Sequence, residues 1–164
     1  AMSWANHVLD TPDAAGLTFR AWSRRRGADG RPTAGDLARH VAGLASPVTA
    51  RGHLELDVAD SQPGTGWKVP VAVLTTLLDE PRAAVRALGA TEPLRTRPGN
   101  FAIAARDGLS DPLLARAARA CFVAAYEGLA RQGAARETRD TVAAFIDRYV
   151  MRNRCPADDV LATA

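Results

Sequence analysis

Apolar and polar side chains alternate strictly between residues 50 and 59 (ARGHLELDVA). On an extended chain Leu54, Leu56 and Val58 fall on one face, and His53, Glu55 and Asp57 on the other. This is the clearest strand of the sequence, and its apolar face must pack on a core. A shorter alternation of Leu17, Phe19 and Ala21 suggests a second strand near 17–22. The remaining pattern is helical. Thr33 is a good N-cap with Asp36 three residues later, and Leu37, Val41 and Leu44 then share one face until Pro47. Residues 68–79 (KVPVAVLTTLLD) read as a mostly buried helix with Pro70 in its first turn. Pro81 starts a further helix through Leu88, ended by Gly89, and residues 91–100 read as irregular. Asp111 with Pro112 opens a long helix whose stripe is Leu114, Ala117, Ala118, Cys121, Phe122, Ala125 and Leu129, with Gly133 as its stop. A last helix over 136–153 places Val142, Phe145, Ile146, Tyr149 and Val150 together. Residues 3–10 suggest a short helix, 24–32 and 60–66 are loops by composition, and the tail over 156–164 is expected to be loose.

These elements predict an α+β fold in a single domain over 1–164, with a partial antiparallel sheet of few strands covered by about five helices. One strand alone cannot satisfy its backbone groups. Either the chain supplies further strands, or the strand pairs with another chain. An exposed strand edge of this kind predicts a homo-oligomer or a partner subunit.

Composition narrows the function classes. The 164 residues suffice for a real core, and 47% apolar with 24% charged residues is ordinary for a globular protein. No apolar run approaches the ~20 residues of a membrane span. The start is polar, without a charged segment leading into an apolar one, so the expected location is the cytoplasm and no membrane partner is expected. A net charge of +3 raises nucleic acid as a partner. Lys68 is the only lysine, however, and the arginines are scattered. The one cluster, Arg24-Arg25-Arg26, has no interleaved aromatics, so no nucleic-acid partner is expected. Cys121 and Cys155 form neither a disulfide framework nor a metal box and read as free thiols.

The polar strand face carries the candidate chemistry. Two carboxylates and an imidazole at period two repel or share protons unless a cation or a partner sits among them. Such a set can ligate a divalent metal or do acid–base work, and it is equally the pattern of a solvated strand face. Arg51 and Lys68 are suited to phosphate or carboxylate, or are surface charges. Trp67 beside Gly66 lines a pocket or a core, and His40 near Leu37 and Leu44 reads as a packed histidine. No phosphate-binding glycine loop, dinucleotide fingerprint or nucleophile elbow is present.

The segment RGHLELDVADSQPGTGWKVPVAVLTTLLDEP resembles a stretch of glutamate–cysteine ligases that reads, in outline, R-G-[HY]-L-E-x-R-x-x-D-x-Q-P followed by an apolar helix. It is most similar to the ergothioneine-pathway ligases of actinobacteria. The resemblance continues in WANHVLDTP, PTAGDLARHVAGLASPV, ARDGLSDPLLARAARACF and RYVMRNRCPADD, and so covers nearly the whole chain as a C-terminal half. It implies half of a glutamine-synthetase-like funnel, a curved antiparallel sheet with helices outside. It also implies ATP and Mg²⁺ as cofactors, with glutamate activated as a γ-glutamyl phosphate and joined to the cysteine amine. The motif glutamate, a metal ligand in the family, maps onto Glu55. Arg51, Asp60 and Gln62 of the motif, with Trp67 and Lys68 after it, become candidates for contact with an amino-acid-like substrate.

Three departures stand against a working ligase in this chain alone. Asp57 occupies the motif's arginine position, which reverses the sign of the interaction with a polyphosphate and weakens nucleotide binding by orders of magnitude. The short DAAGLT stands where the family continues with an apolar strand. The family enzyme is more than twice as long, and its N-terminal half brings the other acidic metal ligands. Three readings follow. The first is a truncated ligase active only when completed by an N-terminal half or partner. The second is a repurposed remnant that binds or transforms an amino-acid-like molecule without ATP through the acid–base face of His53, Glu55 and Asp57. The third is a non-catalytic, oligomerising interaction protein.

Overall fold

The computed structural model describes residues 18–24, 32–42 and 47–162. The helix expected over 3–10 and residues 25–31 of the loop expected over 24–32 lie outside the described residues. The chain divides into two compact units, residues 1–59 and 60–164.

In the first unit Thr18 starts a helix where a strand was expected. Its hydroxyl accepts the Ala21 N–H at 3.1 Å and its carbonyl accepts the Trp22 N–H at 3.0 Å. Phe19–Arg24 is therefore α1, because local capping outweighs a three-residue alternation. Helix α2 spans Ala34–Ala42 and begins with the expected capping box. The Asp36 N–H donates to Thr33 Oγ1 at 3.1 Å, and the Thr33 N–H donates to Asp36 Oδ2 at 2.9 Å. His40 stacks on the buried Phe19 ring at 4.9 Å between centroids, so it is a packed histidine.

The long alternation over 50–59 proves to be the second arm and tip of a hairpin. Gly52 has φ 78°, a left-handed conformation that glycine adopts without strain. Strand β1 (Val48–Ala50) runs antiparallel to β2 (Leu54–Leu56), pairing Val48 with Leu56, Thr49 with Glu55 and Ala50 with Leu54. The Arg51 N–H donates to the His53 carbonyl at 2.8 Å and the Asp57 N–H to the Pro47 carbonyl at 3.0 Å, extending the ladder both ways. The apolar face was expected against a core. Instead Leu54 and Val58 are 56% and 52% exposed.

The second unit is helical. Its helices are α3 (Lys68–Asp79), α4 (Pro81–Arg95), α5 (Asn100–Asp107), α6 (Pro112–Arg131), α7 (Arg136–Arg148) and α8 (Pro156–Leu161). The core joins α3, α6 and α7 through Val69, Val73, Ala125, Leu129, Val142 and Ile146. Phe122 and Phe145 stack beside it at 5.6 Å. Ala125, Leu129, Val142 and Ile146 belong to the stripes read from the helical period, and Val69 and Val73 to the helix read as mostly buried.

Capping explains the boundaries. Asp111 accepts the Leu113 and Leu114 N–H groups, and its carboxylate also holds Arg97 through two 2.7 Å bonds. That partner keeps Asp111 far below the usual carboxylate range. Gly133, at φ 68°, ends α6 while the Ala134 N–H reaches back to the Leu129 carbonyl at 3.0 Å.

Helix α4 does not stop at Gly89. It continues to Arg95 with Pro93 inside it, because packing along α6 outweighs the ~1 kcal/mol that a helical glycine costs. Residues 91–95, expected to be irregular, are thus helical, and α5 appears where no helix was expected. The tail expected to be loose from 156 instead forms α8 over Pro156–Leu161. The Cys155 N–H is bonded by Asp158 at 2.7 Å, and Asp159 is held by Arg148, Arg154 and the Tyr149 hydroxyl.

Glu80 ties three of these helices. Its carboxylate accepts the Ala83 N–H at the start of α4 and the Arg131 guanidinium at the end of α6, one residue beyond α3. The Arg131 bond brings its pKa down from 4.5 to about 2. A carboxyl depressed in the folded state contributes stability that is complete above its unfolded value and is lost as pH falls through the folded one. Wild type is therefore expected to lose stability between pH 4.5 and about 2 more steeply than Glu80→Gln. Parallel urea titrations at stepped pH, giving the same slope for both proteins, would contradict this role.

The fold class is α+β: eight α-helices, more than the about five expected, with one two-stranded antiparallel sheet among the described residues.

Candidate functional site

The hairpin register decides which side chains share a surface. Because residue 50 opposes 54 and 48 opposes 56, every odd residue from Thr49 to Asp57 lies on one face. Arg51, His53, Glu55 and Asp57 are therefore brought together, as the alternation predicted. Arg51 Nε lies 2.9 Å from Glu55 Oε2, and His53 Nε2 lies 3.8 Å from Glu55 Oε1. The pair bridges the tip, so the cation beside the acids comes from the chain itself. All four side chains are exposed, and Asp57 has no ion pair among the described residues. An exposed Arg–Glu pair of this kind is worth little and is easily exchanged for another partner.

The remaining candidates belong to the segment that leads into α3. The Asp60 carbonyl accepts Gln62 Nε2 at 3.1 Å. Gln62 packs on Gly66 so closely that an added Cβ there would meet its Cβ at 3.2 Å. A short 3-10 turn over Gly64–Trp67 then presents Trp67, 55% exposed, so the core alternative for this ring does not hold. Lys68, the first residue of α3, pairs with Glu137 of α7 at 3.0 Å.

The residues fit poorly with magnesium on their own. Among the described residues no group of three or more His, Cys, Asp or Glu converges as a metal site. Glu55 alone offers two oxygens, and an octahedral cation that keeps its waters needs further carboxylates or substrate phosphates.

A wide, open groove lies elsewhere, between α4, α5 and α6. It has a volume of about 370 Å³ and is lined by Thr91, Leu94, Ala104, Gly108, Leu109, Leu114, Ala117, Ala118 and Cys121. Burial pushes the Cys121 thiol up, away from the nucleophilic thiolate. Cys121 and Cys155 are both free. Sequence reading did not find this groove, because one wall is α5, whose period was too short to register.

No helix among the described residues is long and apolar enough to cross a membrane. Comparison with known proteins gives a consistent answer. Glutamate–cysteine ligase EgtA of Mycolicibacterium smegmatis is 37% identical over 172 residues, covering 97% of this chain and 38% of that protein. Glutamate–cysteine ligase EgtA of Mycobacterium tuberculosis is 35% identical, covering 96% of this chain and 38% of its own length. The chain thus spans well under half the length of these curated relatives. No solved structure matches it. The family model described as glutamate-cysteine ligase family 2 (GCS2) matches residues 2–164, and the chain belongs to that family.

Proposed function

We propose that this chain is a ligase segment that takes part in ATP-dependent γ-glutamyl amide formation only together with the portion of the enzyme it does not span. The observation that carries this reading is a family match over 2–164 in a chain covering 38% of its ligase relatives. In this reading the odd face of the hairpin is one wall of the reaction site. Glu55 contributes one carboxylate toward the magnesium of ATP, and the rest of the ligand set comes from outside this chain. Arg51, once exchanged from Glu55, is a planar guanidinium able to bind a substrate carboxylate or phosphate through two parallel bonds. Asp60 and Gln62 of the motif, with Trp67 and Lys68 beyond it, follow as contacts for glutamate or cysteine. The cytoplasm is the compartment that supplies both amino acids and ATP.

Asp57 supports a second reading, in which the same face binds an amino-acid-like molecule without ATP. A third, in which the chain only pairs with a partner or a second copy, has the hairpin edge in its favour.

The test uses this chain mixed with the part of the M. smegmatis relative that it does not match. Phosphate release requiring both glutamate and cysteine is expected in the mixture, and Glu55→Gln in this chain is expected to lower it by ~100-fold or more. Assembly of the two parts with no turnover would sink the ligase reading. Binding of amino acids by the chain alone, unaffected by Mg-ATP, would favour the second.

A further inference from the structure

Helix α5 buries none of its residues, and Phe101 in its first turn is 77% exposed. A glycine stands at each end of it. Gly99 has φ 68° and Gly108 has φ 52°, and a Cβ added at either would meet no other part of the chain within 4 Å. The backbone, not packing, therefore calls for glycine at both positions, and such residues absorb a large change of dihedral angle. Just outside them the two bonds between Arg97 and Asp111 clip the ends of the excursion together. Asn100 Oδ1, next to the first glycine, is buried without a hydrogen-bond partner, a cost that belongs to this position of the helix.

The open apolar groove starts on the same helix, at Ala104 and Gly108. Phe101 precedes Ala104 by three residues, so their side chains leave the helix about 60° apart. We propose that α5 is a flap that swings on Gly99 and Gly108 and seats the Phe101 ring in this groove, closing it over Cys121. The structure shows the flap open. Closure takes from water both the ring and the apolar floor made by Leu94, Leu114, Ala117 and Ala118. The swing breaks the 2.8 Å bond from Asn100 Nδ2 to the Leu94 carbonyl, a net loss smaller than the gain from burying a phenylalanine ring. The closed form is therefore favoured. The Arg97–Asp111 clip lies outside both hinges and stays made in either position. This inference stands on the helical unit alone and does not rest on the ligase reading.

Cys121 reports on the flap. In the full chain carrying Cys155→Ser it is the only thiol, and its rate of labelling by a small maleimide reads how often the groove is open. Adding Phe101→Ala is expected to raise that rate about tenfold, because the closed form loses the ring that favours it. Phe101→Leu is expected to raise it less, since leucine still fills part of the groove. Hydrogen exchange supplies a second readout. The α5 amides are expected to exchange about tenfold faster in Phe101→Ala, while those of α4 and α6 change by less than about twofold. Equal labelling with and without Phe101→Ala would overturn the flap. Faster exchange throughout α4 and α6 would overturn it too, because the ring would then hold the helical unit together rather than cover a groove.

Discussion

Asp57→Arg, in this chain joined to the unmatched part of a ligase relative, is expected to raise ATP affinity by roughly tenfold to hundredfold. The hairpin register sets position 57, one residue beyond the end of β2, on the same face as Glu55. A carboxylate there repels a polyphosphate, and a guanidinium attracts it and donates up to five N–H groups. The substitution therefore removes a repulsion and adds an attraction. The side chain is exposed and salt screens it, which limits the gain to this range rather than the far larger one of a dry interior. Calorimetric titration with Mg-ATP at low salt reads the change. Unchanged or weaker binding in the variant would mean that position 57 does not face the nucleotide.

Gly128→Ala is expected to destabilise the helical unit by about 1–3 kcal/mol. Helix propensity predicts the opposite sign, since alanine is favoured over glycine by ~1 kcal/mol inside a helix. Packing decides. A Cβ on Gly128 would lie 2.5 Å from Thr76 Cγ2 and 3.4 Å from Ala83 Cβ. Neither neighbour can retreat: Ala83 is fully buried, and Thr76 is buried with its hydroxyl bonded to Gln132 at 3.3 Å. The chain must separate α3 and α4 from α6 or break that bond. Urea unfolding of the variant checks this, and equal or greater stability would show that the three helices do not pack so closely.

Features set by neighbouring residues were legible in the sequence. The Thr33–Asp36 box, the Asp111–Pro112 start and the Gly133 stop each act over three or four residues, and all three stand in the structure. Features set by distant partners were not. Gly89 looked like a stop because its local cost is visible and the packing of α4 on α6 is not. The partner of Asp111 is Arg97, fourteen residues away, and no local pattern announces it.

The hairpin shows a subtler limit. Residue 50 opposes 54, so the turn at Gly52 keeps every odd residue on one face. The alternation therefore runs through the turn without a break, and a hairpin reads as a longer single strand. For the same reason the composition of the polar face was legible while its Arg51–Glu55 pair was not. That pair exists only because the tip folds residue 51 back over residue 55.

In the proposed reading Glu55 and its neighbours on the hairpin are one wall of a reaction site whose other acids lie outside this chain. Phosphate release by the pure chain, supplied with Mg-ATP, glutamate and cysteine together, tests it most directly. Release is expected to stay at the level seen without the amino acids. Release that requires both glutamate and cysteine would contradict it, because 164 residues would then hold a complete ligase.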